Sequence, residues 1–141
     1  MKDIRFRAWV KPIQIFTNRQ YGYMIDVSVI NFEEKWVSDD EGTVYDFHEI
    51  ELMQYTELKD KKGVEIYEGD IVKTRKIFIK PRHTDFTEGE GKVIFSDCSF
   101  YILQVDSEEV IVGNYSPHSE NTVTQIEVIG NIYENPELLE D

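Results

Sequence analysis

The sequence predicts a mostly β fold with a small barrel-type β domain, an N-terminal β extension and a short C-terminal helical turn. Two observations support this class. Apolar residues recur with a period of two rather than 3.6 along most of the chain, as they do in half-buried strands. The alternating runs are rich in β-branched and aromatic residues, and polar turn-forming residues separate them.

Three runs predict strands in the N-terminal β portion, residues 1–57. In "IRFRAW" (residues 4–9), Ile4, Phe6 and Ala8 share one face of an extended chain, opposite the two arginines and the tryptophan. The run "YMIDVSVINF" (residues 23–32) alternates in the same way and predicts a single long strand. "IELMQY" (residues 50–55) favours a strand, with a helix as the open alternative.

The remaining residues, 58–141, form the predicted barrel portion, which can also be integrated with the N-terminal portion into one domain. The run "DIVKTRKIFI" predicts a strand from Ile71 to Ile79. "GKVIFSDCSFYILQV" predicts two strands, at 92–95 and 100–105, joined by a polar turn. The second carries apolar residues on both faces, which is typical of a central strand or of a subunit interface. "EVIVG" and "QIEVIGNIY" predict a short and a long strand further along.

Polar stretches mark the predicted loops and the end of the chain. Residues 38–42, 81–91 and 116–122 are rich in turn-forming residues and predict exposed loops. In the closing "NPELLED", Asn135 suits a helix N-cap and Pro136 suits the first helical position. We expect one or two helical turns there.

The stretch "YEGDIV" raises the question of whether Glu68, Gly69 and Asp70 form a catalytic or metal-binding cluster. Gly69 can adopt a positive φ at little steric cost, and the Asp70 carboxylate can accept hydrogen bonds from backbone N–H groups of a turn. A strand follows at once, and this pattern is a recurrent entry into SH3-like barrels. Catalysis would need a second acid or a base at a defined distance, whereas neighbours on a strand point to opposite faces. We therefore predict a structural turn at Gly69 and Asp70.

Three landmarks, "IRFRAW", "ELMQYTELKDKKGVEIYEGDIVK" and "IEVIGNIYENPELL", resemble those of the YopX family of phage and prophage proteins. The resemblance spans nearly the whole chain. It implies a mostly β fold with a barrel-like core and self-association, and it implies no known activity. Three departures occur: Val10 replaces the acid usual after the tryptophan, Glu57 replaces the glycine of the usual "YTGLKD" run, and "FSDCSFYI" replaces a version richer in tryptophan and glycine. The second departure argues against a positive-φ residue at position 57.

The charge of the chain limits its partners. The 141 residues carry a formal net charge of −13, which favours solubility and disfavours general binding to nucleic acid or to an anionic membrane. Residues 100–141 contain several acids and no Lys or Arg. The single cysteine, Cys98, and the lack of a signal peptide or of an apolar run of about 20 residues predict a cytoplasmic protein without a membrane span.

One positive run, "KTRKIFIKPR", lies within this acidic chain. Small barrels bind single-stranded nucleic acid with basic and aromatic residues on a β surface, so nucleic-acid binding is the alternative function. Alternation splits the run, because Lys73 and Arg75 fall on one face and Lys76 and Lys80 on the other. The competing interpretation is that these cations pair with the acidic C-terminal third, within the chain or across a subunit contact. The candidate binding residues are Lys73, Arg75, Lys76, Lys80 and Arg82.

Other chemistry has weaker support. The three histidines are widely spaced and lack the ligand spacing of a zinc site. The run "DFHEIE" offers Asp46, His48 and Glu49 as ligands, but His48 is interpreted as a surface residue. Cys98 could act as a nucleophile only beside a histidine, and the sequence does not show whether one lies near it. An enzyme centred on Asp70 or Cys98 is the third hypothesis. We predict no metal, no cofactor and no catalytic residue.

The preferred hypothesis is a non-enzymatic phage or prophage accessory protein that acts by binding and self-associates as a homo-oligomer. A host or phage protein is the expected further partner. Acidic mimicry of nucleic-acid phosphates by the C-terminal third is a weaker alternative, because high acidity more often serves solubility.

Overall fold

The computed structural model confirms the mostly β class, with curled sheets that form a half-barrel. The regular elements in its described part are strands and two short 3-10 turns. Among those residues, no helix combines the length and the apolar character that a membrane crossing needs. The structure describes residues 3–12, 21–79, 81–96, 99–104, 110–112, 118–119 and 122–139.

The chain divides into two compact units, residues 1–55 and 56–141. The division falls within the sixth strand, so this strand contributes residues to both units. The strands that supply the first unit are β1 (Phe6–Val10), β2 (Tyr23–Val27), β3 (Val29–Asn31), β4 (Trp36–Ser38), β5 (Val44–Asp46) and the beginning of β6 (Ile50–Lys59).

In the first unit, β1 pairs antiparallel with β2 on one side and with β6 on the other. Strands β3, β4 and β5 form a separate antiparallel sheet. A 3-10 turn, Phe47–Glu49, leads from β5 into β6. Apolar residues of both sheets form one buried core, as the period-two pattern requires: Ala8, Val10, Ile25, Val37, Tyr45 and Ile50.

The second unit is organised around a six-stranded sheet of order β11-β10-β9-β8-β13-β12. The central strand β8 pairs antiparallel with both β9 and β13. The end of β6 hydrogen bonds to β7. The strands of this unit after β6 are β7 (Glu65–Tyr67), β8 (Asp70–Ile79), β9 (Thr84–Ser96), β10 (Ser99–Gln104), β11 (Val110–Val112), β12 (His118–Ser119) and β13 (Thr122–Asn131).

The core of the second unit lies on one face of the six-stranded sheet. Alternation along β8 buries Val72 and Thr74 and exposes Lys73 and Arg75. Gly91 of β9 also lies on the buried face, where a Cβ would come within 2.6 Å of the Leu103 carbonyl oxygen. The buried core residues are Ile66, Val72, Val93 and Ile126, with Leu58, Phe100, Ile102 and Val128 packed against them.

The structure confirms the strand prediction for "IELMQY" over the helix. It differs in two places. The long strand predicted at 23–32 is two strands that break at Ser28, because β3 pairs with β4 rather than continuing beside β1. The exposed loop predicted at 81–91 is wrong from Thr84 onward, because residues 84–91 extend β9 along β8. Cross-strand pairing overrides the turn-like composition of this segment.

The remaining loop predictions have mixed outcomes. A turn follows Ser38, as expected at 38–42. Strand β12 and the start of β13 replace part of the loop predicted at 116–122, whose other residues lie outside the described part of the chain, as does Cys98. The short C-terminal helical turn is confirmed as a 3-10 turn, Pro136–Leu139. Asn135 Oδ1 accepts a hydrogen bond from the Asn131 N–H at 3.3 Å.

Position 57 overturns another expectation. Glu57 has a φ of 68°, so the positive-φ backbone persists although the glycine is absent. Neighbouring bonds hold it in place: the Thr56 hydroxyl donates to the Ile66 carbonyl at 2.7 Å and accepts from the Leu58 N–H at 3.2 Å. The strand pairing of β6 with β7 therefore imposes a conformation that the side chain disfavours.

Candidate functional site

The turn before β8 is held by backbone contacts around Gly69 and Asp70. Gly69 has a φ of 87°. Its N–H donates to the Val93 carbonyl at 2.8 Å, and its carbonyl accepts from the Ile132 N–H at 2.9 Å. The Asp70 side chain is buried, and its Oδ2 accepts a hydrogen bond from the Tyr67 N–H at 2.8 Å. The carboxylate thus braces the turn, and extended backbone follows it.

A second buried carboxylate, that of Asp60, organises the turn between β6 and β7. Its Oδ1 accepts hydrogen bonds from the N–H groups of Lys62 at 2.8 Å and Val64 at 2.9 Å. Its Oδ2 accepts from the Val128 N–H of β13 at 3.0 Å. Burial raises the pKa of Asp60, whereas the hydrogen bonds from the N–H groups of Val128, Val64 and Lys62 lower it. Their combined effect is larger than that of burial, so the pKa of Asp60 lies below its ordinary value.

The exposed face of β8 and β9 carries two charged stripes of opposite sign. Lys73 and Arg75 point outward from β8, and Glu88 and Glu90 point outward from β9. The register pairs Lys73 with Glu90 and Arg75 with Glu88. Directly paired residues of antiparallel strands share a face. These four side chains therefore form one array, the charge quartet.

Arg75 makes the closest contacts of the quartet. Its Nε lies 3.8 Å from Glu88 Oε1, and exposed pairs of this kind contribute about 0–1 kcal/mol. Its guanidinium carbon lies 4.3 Å from the centroid of the Phe86 ring. Phe86 is 55% exposed and pairs in register with Ile77. An apolar row thus adjoins the quartet at the Arg75 end.

On the other side of β8, Glu127 of β13 is the register partner of Lys73. Lys61 and Lys62, from the turn after β6, lie 3.4 Å and 2.6 Å from its carboxylate oxygens. Hydrogen bonds from Lys62 and Lys61 lower the pKa of Glu127, and the bond to Glu127 raises the pKa of Lys62. Lys61 and Lys62 therefore balance the charge of Glu127 beside the quartet.

A shallow concavity of about 160 Å³ opens beside the quartet, between β8, β13 and the turn after β6. Three cations and two carboxylates contribute to its wall, so its lining is of mixed sign. Nucleic-acid grooves instead track the backbone with continuous positive charge. The lining residues are Lys61, Lys73, Arg75, Glu88, Gln125, Ile126 and Glu127.

The predicted basic run is only partly gathered on this face. Lys73 and Arg75 belong to the quartet, and Arg82 is exposed beyond the end of β8. Lys80 and the side chain of Lys76 lie outside the described part of the structure. On this face the described part of the run therefore offers two cations beside two acids rather than a basic patch.

Sequence analysis missed the acidic stripe. Glu88 and Glu90 lie in the segment interpreted as a loop, and only its extension of β9 sets them opposite the cations. The alternation of Phe86, Glu88 and Glu90 was the available indication, but two glycines interrupt it.

In the first unit, the 3-10 turn after β5 brings together Asp46, His48 and Glu49. Their potential ligand atoms lie within 4.8 Å of one another. Asp46 and His48 are exposed, which agrees with the predicted surface position of the histidine. Exposed groups of this kind commonly cluster without an ion.

Comparison with known proteins gives a family and a fold. The chain matches the family described as "YopX protein" over residues 5–140. No curated protein matches it. It is similar to the crystal structure of protein EF1440 from Enterococcus faecalis, with a TM-score of 0.58 and 23% sequence identity over 98% of this chain and 99% of that chain. This likeness shows a shared fold.

Proposed function

Since this chain belongs to the YopX family, we propose that it is a phage or prophage accessory protein that acts by binding, without catalysis, in the cytoplasm of a bacterial host. It associates with further copies of itself and binds a host or phage protein. It uses the outward face of the six-stranded sheet for such contacts.

The observation that carries the proposal is the different placement of the acids of the second unit. The buried carboxylates of Asp60 and Asp70 bond to backbone N–H groups, so they serve the fold. The exposed Glu88 and Glu90 lie beside cations on an open sheet face. General acids and bases need a positioned contact with the substrate, whereas interleaved charges on an open face suit the orientation of a protein partner.

Affinity capture tests the binding role. A tagged chain is produced in a lysogenic host, the prophage is induced, and co-purifying proteins are identified by mass spectrometry. The matched control is the doubly substituted Lys73→Glu/Arg75→Glu chain, with its fold checked by circular dichroism. We expect a protein that the wild type retains and the variant loses. Equal capture by both chains would contradict the use of this face, and sedimentation of the wild type as a strict monomer would contradict self-association.

Nucleic-acid binding is the second candidate, favoured by one observation. Arg75 stacks on the exposed Phe86 beside Lys73, and such a platform can stack a base while cations contact phosphates. Glu88 and Glu90 oppose it by repelling phosphates. Fluorescence anisotropy with a labelled oligo-dT at low salt tests this role, because phosphate contacts are strongest there. Binding that Phe86→Ala weakens would support the candidate, and the lack of any binding would reject it.

A further inference from the structure

The outward face of β8 and β9 includes three adjacent register rows that lie between the Ile71–Lys92 and Ile79–Thr84 rows. Two are charged, Lys73–Glu90 and Arg75–Glu88, and the third is apolar, Ile77–Phe86. Lys73, Arg75, Glu88, Glu90 and Phe86 are exposed, and Ile77 is partly buried. In both charged rows β8 supplies the cation and β9 supplies the acid.

Such a face is complementary to itself under one particular two-fold rotation. The rotation axis lies in the contact plane, parallel to β8 and β9 and midway between them. Rotation about it places β8 of the second copy over β9 of the first, and β9 of the second copy over β8 of the first. Each residue of β8 then faces its own register partner from a second copy. Lys73 of each copy faces Glu90 of the other, and Arg75 faces Glu88. An axis across the strands would instead oppose like charges.

We propose that the charge quartet and the adjoining Ile77–Phe86 row form this two-fold contact with a second copy of the chain. The inference rests on the proposed self-association and names its surface and symmetry. Symmetric dimers are the commonest soluble oligomers, and their contacts pair one patch with itself.

The apolar row supplies affinity and the quartet supplies orientation. The same rotation sets Phe86 of each copy against Ile77 of the other, which removes a 55% exposed aromatic side chain from water. Charge pairs across the contact reject the alternative orientations.

The charges of the quartet are available for this contact. The Arg75–Glu88 contact within one chain is long, at 3.8 Å. Glu127 does not compete strongly for Lys73, because Lys61 and Lys62 neutralise it. Pairing across the copies therefore replaces weak interactions within each chain.

Net charge opposes the contact and gives it a characteristic salt dependence. Each copy carries −13, so the copies repel at long range. At about 0.15 M salt this repulsion is screened beyond about 8 Å, whereas pairs at contact are screened less. We expect dimerisation to strengthen from very low salt to about 0.15 M and to weaken again above it.

Complementary charge reversal tests the surface. Lys73→Glu/Arg75→Glu makes the quartet wholly acidic, and Glu88→Lys/Glu90→Lys makes it wholly basic. In sedimentation velocity, each variant alone should be monomeric where the wild type dimerises, and an equimolar mixture should dimerise again. Phe86→Ala should weaken wild-type dimerisation about tenfold, as expected for an interface anchor. The control Glu33→Lys/Glu41→Lys reverses two acids of the first unit and should leave the dimer intact.

Restored dimerisation in the mixture cannot arise from misfolding, and circular dichroism verifies the fold of each chain. If folded variants dimerise alone like the wild type, or if their mixture stays monomeric, the inferred surface is wrong while self-association through another surface stands. A wild type that stays monomeric up to about 1 mM, the weak end of specific association, overturns the self-association as well.

Discussion

The two units contain the same five-residue hairpin turn, Asp-x-x-Gly-x, at residues 39–43 and 60–64. In both, the aspartate Oδ1 accepts backbone N–H groups two and four residues later, at 3.0 and 2.9 Å in the first turn and 2.8 and 2.9 Å in the second. The glycines adopt nearly equal φ angles, 85° at Gly42 and 83° at Gly63. Local sequence therefore builds the same turn in two places.

The turns differ in what the second carboxylate oxygen does. Asp60 Oδ2 accepts the Val128 N–H from β13, and Asp60 is buried. Asp39 is less buried, and its side-chain bonds to described residues stay within its own turn. The same motif is thus a local hairpin in the first unit and a long-range link in the second. The tertiary contacts of the turn therefore determine how much it contributes to the stability of the protein.

The largest expected effect is the difference between Asp60→Ala and Asp39→Ala. Asp60→Ala removes three hydrogen bonds, one of them to another strand, and should lower the free energy of unfolding by about 3 kcal/mol at about 1 kcal/mol per bond. Asp39→Ala removes two hydrogen bonds that are more accessible to solvent. It should lower the free energy of unfolding by about 1 kcal/mol, because water can replace the carboxylate as the acceptor. Urea unfolding of both variants measures the difference. Equal losses would contradict the long-range role of Asp60.

Acidification should weaken the contribution of Asp60 to stability. The folded-state pKa of Asp60 is lowered, so ionised Asp60 contributes stability above its unfolded pKa of about 3.9, and this contribution is lost as the pH falls through the folded value. The stability advantage of the wild type over Asp60→Asn should therefore shrink as the pH falls below about 5. Urea midpoints against pH measure it. An advantage of the wild type that stays constant as the pH falls would refute the expectation.

The turn glycines should behave alike. An added Cβ would meet nothing within 4 Å at either Gly42 or Gly63, so only the positive φ opposes alanine. Each Gly→Ala substitution should cost about 1 kcal/mol. Thermal unfolding compares the two, and a clear inequality would mean that the turns are less equivalent than their hydrogen bonds indicate.

The smallest effect is a gain. Lys35 in the first unit and Glu57 in the second have φ angles of 59° and 68°, where a side chain is strained by about 1–2 kcal/mol. Glycine removes this strain but increases the entropy of the unfolded chain. We expect Lys35→Gly and Glu57→Gly each to stabilise the protein by about 0.5 kcal/mol. A drop in melting temperature for either would show that its side chain contributes contacts that outweigh the strain.

Sequence alone predicted what local physics decides. Alternation predicted the strand at Ile71–Ile79 and favoured a strand over a helix at residues 50–55. The carboxylate acceptor at Asp70 was expected from its place in a turn. The positive φ of Glu57 was not predicted, because pairing with β7 imposes it against the preference of the side chain.

Of the candidate site, only the two cations were predicted from the sequence. Lys73 and Arg75 were recognised as cations of one strand face, since alternation is visible along a single strand. Their acidic counterparts, Glu88 and Glu90, depend on which strand lies alongside and in which register. A single sequence does not show which strands pair, so this pairing could not be predicted where the composition of residues 81–91 favours a loop.

The link from Asp60 to Val128 joins residues that are 68 positions apart, and this affects the folding kinetics. The turn at residues 60–64 can close on the microsecond timescale of a hairpin, whereas its bond to β13 must await the closure of a long loop. Asp60→Ala should therefore accelerate unfolding more than it slows refolding. The bond then forms after the folding transition state and prolongs the lifetime of the native state by slowing unfolding.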